Sequence, residues 1–121
     1  MKVKVGELLR LKRIEKGYTL ETLSSIIGIS INYIAAIEKG TKTNPSDSII
    51  VKLAETYGLN EDDLFIAFDK MPLSAKQEVT EHPELAKALS QIRNDKEMSH
   101  EKKEALYKKL TTWYKRLSEE E

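Results

Sequence analysis

One corner between two short apolar segments constrains this chain more than any other stretch. Residues 20–40 read LETLSSIIGISINYIAAIEKG. Leu20, Leu23, Ile26 and Ile27 recur at the spacing of one helix face, and Ile34 and Ile37 do so again after the corner. Between them stands Gly28-Ile29-Ser30. Gly28 can take the positive φ that ends a helix, Ile29 plugs the corner, and Ser30 can cap the next helix through its hydroxyl. Gly40 stops the second helix in the same way. The pattern predicts two helices joined at a wide angle by a tight turn, an αα corner whose meaning depends on its flanks.

The flanks supply more helices and no strand pattern. Residues 4–16 read as a first helix with Val5, Leu8, Leu9 and Ile14 toward the core; Gly17 ends it and Thr19 caps the next. Past Gly40, Thr41 to Ser46 is a polar loop whose Pro45 and Ser46 open a fourth helix. That helix runs to about Tyr57, burying Ile49, Ile50, Leu53, Ala54 and Tyr57, and Gly58 closes it. Asn60 caps a fifth, with Glu61, Asp62 and Asp63 in its first turn, where carboxylates favour the positive helix end. Capping explains that acidic run better than metal binding. Leu64, Phe65 and Phe68 fold the fifth helix back on the core.

Residues 69–82 lack an apolar period and read as a linker. From Pro83, Leu85, Ala88, Leu89 and Ile92 make one stripe, broken at Asn94-Asp95-Lys96. Ser99 then opens a helix with Leu106, Leu110, Trp113 and Leu117 in line, flanked by Tyr107 and Tyr114. Residues 83–121 thus form a helical hairpin. About 40 residues bury too little surface to stand alone, so this face has to meet the first domain or another chain.

Charge and composition narrow the function. The chain carries 20 basic and 20 acidic side chains, so net charge does not point to nucleic acid. Its distribution is more useful, and it fits either a basic face or ordinary solvated charge on both halves. Residues 1–42 hold eight basic groups, Lys2, Lys4, Arg10, Lys12, Arg13, Lys16, Lys39 and Lys42, against four acids, and residues 43–68 reverse the balance to −4. A neutral total can hide a basic face, which is all that phosphate contact requires. With no cysteine there are neither disulfides nor thiolate metal sites, as suits a reducing cytoplasm. No run approaches the ~20 apolar residues that span a bilayer, and no secretory signal is expected. Only His82 and His100 are available for acid–base chemistry, both in linker or cap positions, so neither enzyme, cofactor nor metal is expected.

The spacing Leu9-x3-Arg13-x3-Gly17-Tyr18-Thr19-Leu20-x2-Leu23, then Gly28-Ile29-Ser30-x2-Tyr33-Ile34-x2-Ile37-Glu38-x-Gly40, then Pro45, Leu53-Ala54 and Leu59-x4-Leu64, resembles the phage-repressor-like (Cro/C1, XRE) helix-turn-helix family over residues 5–68. The resemblance implies an all-α chain, with a five-helix lambda-repressor-like DNA-binding domain at 1–68 and the helical hairpin appended. It implies an ion pair between Arg13 and Glu38. It makes the second helix of the corner a major-groove reader. Ser30, Ile31, Asn32, Tyr33 and Ala36 would face bases: Asn32 matches adenine in a bidentate contact, and Ile31 or Ala36 a thymine methyl. Tyr33 either reaches the DNA or packs on the scaffold. Thr19, Thr22, Lys39, Thr41, Lys42, Thr43 and Asn44 would hold the backbone, with Lys12 and Lys16 as further candidates. Many members place Gln at the start of the second helix. This chain has Leu20 and Glu21 there, leaving that contact to backbone amides, Thr19 or Thr22.

The whole layout is similar to Sin-type repressors, where such a hairpin mediates self-association and is the target of a small antagonist protein. Leu85, Leu89, Ile92, Leu106, Leu110, Trp113 and Leu117 are the corresponding interface candidates. The expected partners are double-stranded DNA, a second copy of the chain and possible antagonists at the hairpin; a membrane is not among them. The expected place of action is the cytoplasm, on the nucleoid. An antitoxin or other interaction module, whose hairpin sequesters a partner while DNA binding is secondary, is the competing reading.

Overall fold

In the computed structural model, residues 4–120 are described; Lys2, counted in the basic balance, lies outside them. Eight helices account for the regular structure of the described residues, and no strand occurs among them. Five build the first body: α1 (Val5–Glu15), α2 (Leu20–Ile27), α3 (Ile31–Lys39), α4 (Asp47–Tyr57) and α5 (Glu61–Ala67). They are followed by α6 (Leu73–Glu81), α7 (Pro83–Asn94) and α8 (His100–Glu120). The chain divides into two compact units, with the boundary between Gln77 and Glu78.

Local chemistry sets the ends of the first helices. The Thr19 hydroxyl accepts from the Thr22 amide at 3.0 Å, the Ser30 hydroxyl from Tyr33 at 3.1 Å and the Asn60 side chain from Asp63 at 2.9 Å, each filling an otherwise orphaned donor. Gly28, at φ 83°, turns the chain between α2 and α3, which meet at 108°. The Ser24 hydroxyl donates to the Ile29 carbonyl inside that turn, and the Lys52 ammonium donates to the Ile27 carbonyl at 3.2 Å, closing the C-terminal end of α2.

The core of the first unit comprises Leu9, Leu23, Ile27, Ile34, Ile37, Ile50, Leu53, Ala54, Tyr57, Leu64, Phe65 and Phe68. Two side chains expected inside are not. Ile14 and Ile26 are each about half exposed. The packed face of α1 runs through Val5 and Leu9 toward Arg13, and Ile14 lies about 100° around the helix from it; Ile26 is offset from Ile27 in the same way. Residues 69–82 also depart from expectation, because α6 occupies most of what reads as a linker. Its residues favour a helix without making an apolar stripe, and Leu73 alone among them packs partly on the core.

The second unit has a different character. No described side chain from Glu78 to Glu119 is buried. Ser99 caps α8 by accepting from the Lys102 amide at 3.2 Å, and the Asp95 carboxylate accepts from the Glu97 and Met98 amides in the connection. Turn chemistry defines this hairpin; a closed core does not.

Candidate nucleic-acid interface

The candidate interface lies along α3 and its two flanks. Ile34 and Ile37 bury the back of α3, which leaves the leading edge outward. Ser30 and Asn32 are exposed, and Ile31 is 39% exposed. Tyr33 and Ala36 are half-buried, Tyr33 packing against the core while its ring lies 5.4 Å below the Lys42 ammonium, within cation–π reach. The Tyr33 ring thus packs on the scaffold with a cation over it.

The C-terminal end of α3 is wrapped. The Ala36 carbonyl accepts from the Thr41 and Lys42 amides, each at 3.0 Å, and from the Thr41 hydroxyl at 3.2 Å. Lys39, Thr41, Lys42, Thr43 and Asn44 are all exposed. On the other flank Thr19 and Thr22 are exposed, with their hydroxyls 2.9 Å apart at the start of α2. Thr19 thus spends its oxygen on capping, and its neighbour supplies a second hydroxyl at the same helix end.

Arg13 and Glu38 fix α3 to α1. The Arg13 guanidinium donates from Nε to Glu38 at 2.9 Å and from Nη2 at 3.2 Å, and its Nη1 donates to the Tyr18 carbonyl at 2.9 Å. The fork keeps both charges paired where little solvent reaches them, with side chains 14% and 7% exposed. The bond to Glu38 raises the Arg13 pKa above its ordinary value. Beneath the pair lies the Tyr57 hydroxyl, buried without a protein hydrogen-bond partner; burial pushes its pKa up to about 12, with Glu38 adding to the rise and Arg13 opposing it.

Two anchoring residues carry no sequence signature of their own. Gly6 packs so closely on α3 that a Cβ would strike the carbonyl oxygens of Ile37 and Glu38. Lys70 reaches back to donate to the Pro45 carbonyl at 3.1 Å and to pair with Asp47, whose carboxyl it holds below the usual range.

In the second unit Leu85, Leu89, Leu110, Trp113 and Leu117 are exposed, while Ile92 and Leu106 are half-buried. Glu78, Glu81 and His82 bring donor atoms within 4.8 Å of one another, all on exposed side chains. Among the described residues no single helix is long and apolar enough to cross a membrane.

A short capped helix, set at 108° on its partner and locked from behind, defines the helix-turn-helix class. The chain belongs to that family: its sequence model, described as "Helix-turn-helix domain", matches residues 6–67, and the matching residues are of the phage-repressor-like (XRE) type. The chain is 36% identical over 63 residues to the HTH-type transcriptional regulator SlrR of Bacillus subtilis, covering 52% of this chain and 41% of that protein. It is 39% identical over 62 residues to the HTH-type transcriptional regulator DdrOP3 of Deinococcus deserti, covering 51% and 47%. It is 34% identical over 50 residues to the HTH-type transcriptional regulator SinR of Bacillus subtilis, covering 41% and 45%. The alignments span less than half the length of each of these curated relatives. Among solved structures, the SinR protein/SinI protein complex aligns over 93% of this chain and 98% of that one, at 25% identity and a TM-score of 0.47.

Proposed function

We propose that the chain is a sequence-specific DNA-binding transcriptional regulator, a repressor, acting in the cytoplasm on the nucleoid. It binds palindromic or repeated operators as a dimer or higher oligomer. The observation that supports this reading most directly is the outward edge of α3. Ser30, Ile31 and Asn32 are exposed at the start of a helix whose back is buried, with Lys39, Lys42 and the Thr19–Thr22 hydroxyls to either side. In this reading Asn32 reads adenine, Ile31 and Ala36 meet methyl groups, and Tyr33 adds a contact beside Lys42. Lys39, Thr41, Lys42, Thr43 and Asn44 hold phosphates and set register.

Selection of bound duplexes from a random pool tests it, reporting specificity, site symmetry and half-site spacing together. Asn32→Ala relaxes preference at one position of the selected site, while Lys42→Ala weakens binding to all sequences and lowers the salt slope by about one. A selected motif that stays the same in Asn32→Ala would remove α3's edge from the reading role.

The second reading is an interaction module, an antitoxin-like chain or the target of a small antagonist protein at the hairpin. It is favoured by the exposure of Leu110, Trp113 and Leu117 on α8. Mass measured with and without residues 83–121 separates the two. A shortened protein that remains dimeric takes the hairpin out of self-assembly and leaves it to a partner.

A further inference from the structure

Lys70 lies beyond α5 and beyond the last residue matched by the helix-turn-helix family. The chain reverses there through Asp69, whose φ of 58° is left-handed, and the Lys70 amide donates to the Phe65 carbonyl at 2.9 Å. That turn sends the Lys70 side chain back to the loop between α3 and α4. Its ammonium donates to the carbonyl of Pro45, itself a fully buried residue, and pairs with Asp47 in the first turn of α4. The other end of the same loop is fixed by Thr41 and Lys42 on the Ala36 carbonyl. Thr43 and Asn44 stand exposed between these two clamps.

We propose that Lys70 is a positioning residue for DNA binding: it holds the 41–46 loop in the shape that presents Lys42, Thr43 and Asn44 to the phosphate backbone, and does not touch DNA itself. The inference rests on reading that loop as a phosphate contact. Its physical basis is preorganisation. A loop pinned at both ends loses little further freedom on binding, whereas one released at Pro45 has to be ordered by the DNA. The lysine also gives the segment that follows α5 a direct mechanical hold on the loop after the reading helix.

The test uses full-length chain and a selected duplex. Lys70→Met keeps most of the apolar stem and removes its charge; Asp47→Ala removes the partner. Backbone 15N relaxation in the free protein is expected to show lower order parameters at Thr43, Asn44 and Ser46 in both variants, with α3 unchanged. Affinity is expected to fall about three- to tenfold in both, equally across sequences, with the salt slope as in the wild type. Lys70→Arg, which can still donate to Asp47 and the carbonyl, is expected to restore binding. Asp47→Ala is the sharper variant. If charge alone acted, removing an acid near DNA would tighten binding, so weaker binding supports positioning. Tighter binding by Asp47→Ala, a slope reduced by about one in Lys70→Met, or unchanged loop order in either variant overturns the proposal. A wild-type chain that binds no duplex sinks the function proposed above; the relaxation result is independent of DNA and tells the two failures apart.

Discussion

At the scale of single residues, the Arg13–Glu38 fork decides how α3 is held. Two charges this little exposed are tolerable only together: removing one leaves the other desolvated and unpaired. Glu38→Ala is therefore expected to cost about 3 kcal/mol in urea unfolding, with Arg13→Met costing a similar amount. The double replacement Arg13→Met with Glu38→Ala is expected to cost far less than their sum, since it removes both desolvation penalties. A double-mutant cycle with no coupling would reduce the pair to two independent charges. Beneath it, Tyr57 contributes to the alkaline limb of stability. Burial in the folded chain pushes its pKa from the ordinary 10 up to about 12. Between these values the unfolded state gives up the proton first, so Tyr57's contribution is fully present below pH 10 and declines as pH rises toward 12. Tyr57→Phe is expected to flatten that decline relative to wild type. At neutral pH it is expected to be neutral or stabilising by up to about 1 kcal/mol, because the lost hydroxyl has no protein partner.

At the scale of elements, what sequence made legible was what is local. Thr19, Ser30 and Asn60 announce three helix starts by hydrogen bonds made within three residues, and Gly28 and Gly40 mark two ends by conformations other residues avoid. Such signals survive without knowledge of the fold. What stayed hidden depends on neighbours in space. Ile14 and Ile26 have the right composition for a core, but which 100° sector of a short helix is covered is decided by the helix that crosses it. α6 was missed for the opposite reason: its residues favour helix, and only Leu73 touches the core, so no stripe betrays it. Gly6 belongs with these. Its worth is the close approach of α1 to the end of α3, where added methyl carbon has only backbone to push against. Gly6→Ala would gain helix propensity in isolation, yet here it is expected to destabilise by about 1–3 kcal/mol by thermal or urea unfolding. Stabilisation by that substitution would mean that α1 and α3 are not in contact as described.

At the scale of the whole molecule, the two units differ in how complete they are. The first closes around Phe65 and Ile50, both at 0% exposure, whereas the second leaves Trp113 49% and Leu117 62% exposed. A water-facing apolar stripe on a long helix is a surface awaiting cover, and a second copy of the chain would supply an identical one related by symmetry. Trp113 reports on this directly, because it is the only tryptophan in the chain. If copies pair through the hairpin, its emission moves to the blue as concentration rises, in step with mass by sedimentation. If the hairpin instead docks on its own first unit, the emission is already blue and does not change on dilution. Leu110→Lys adds the energetic half of the argument. A charge placed in an apolar seam is costly, so the variant is expected to be monomeric with Trp113 solvent-exposed at every concentration. On the proposed pairing, two reading helices on one assembly would engage two half-sites at once, the second at high effective concentration. Leu110→Lys is therefore expected to lose much of the affinity for a two-half-site duplex while keeping wild-type affinity for a single half-site. Equal losses on both duplexes would place the defect in the first unit and detach the hairpin from cooperative binding.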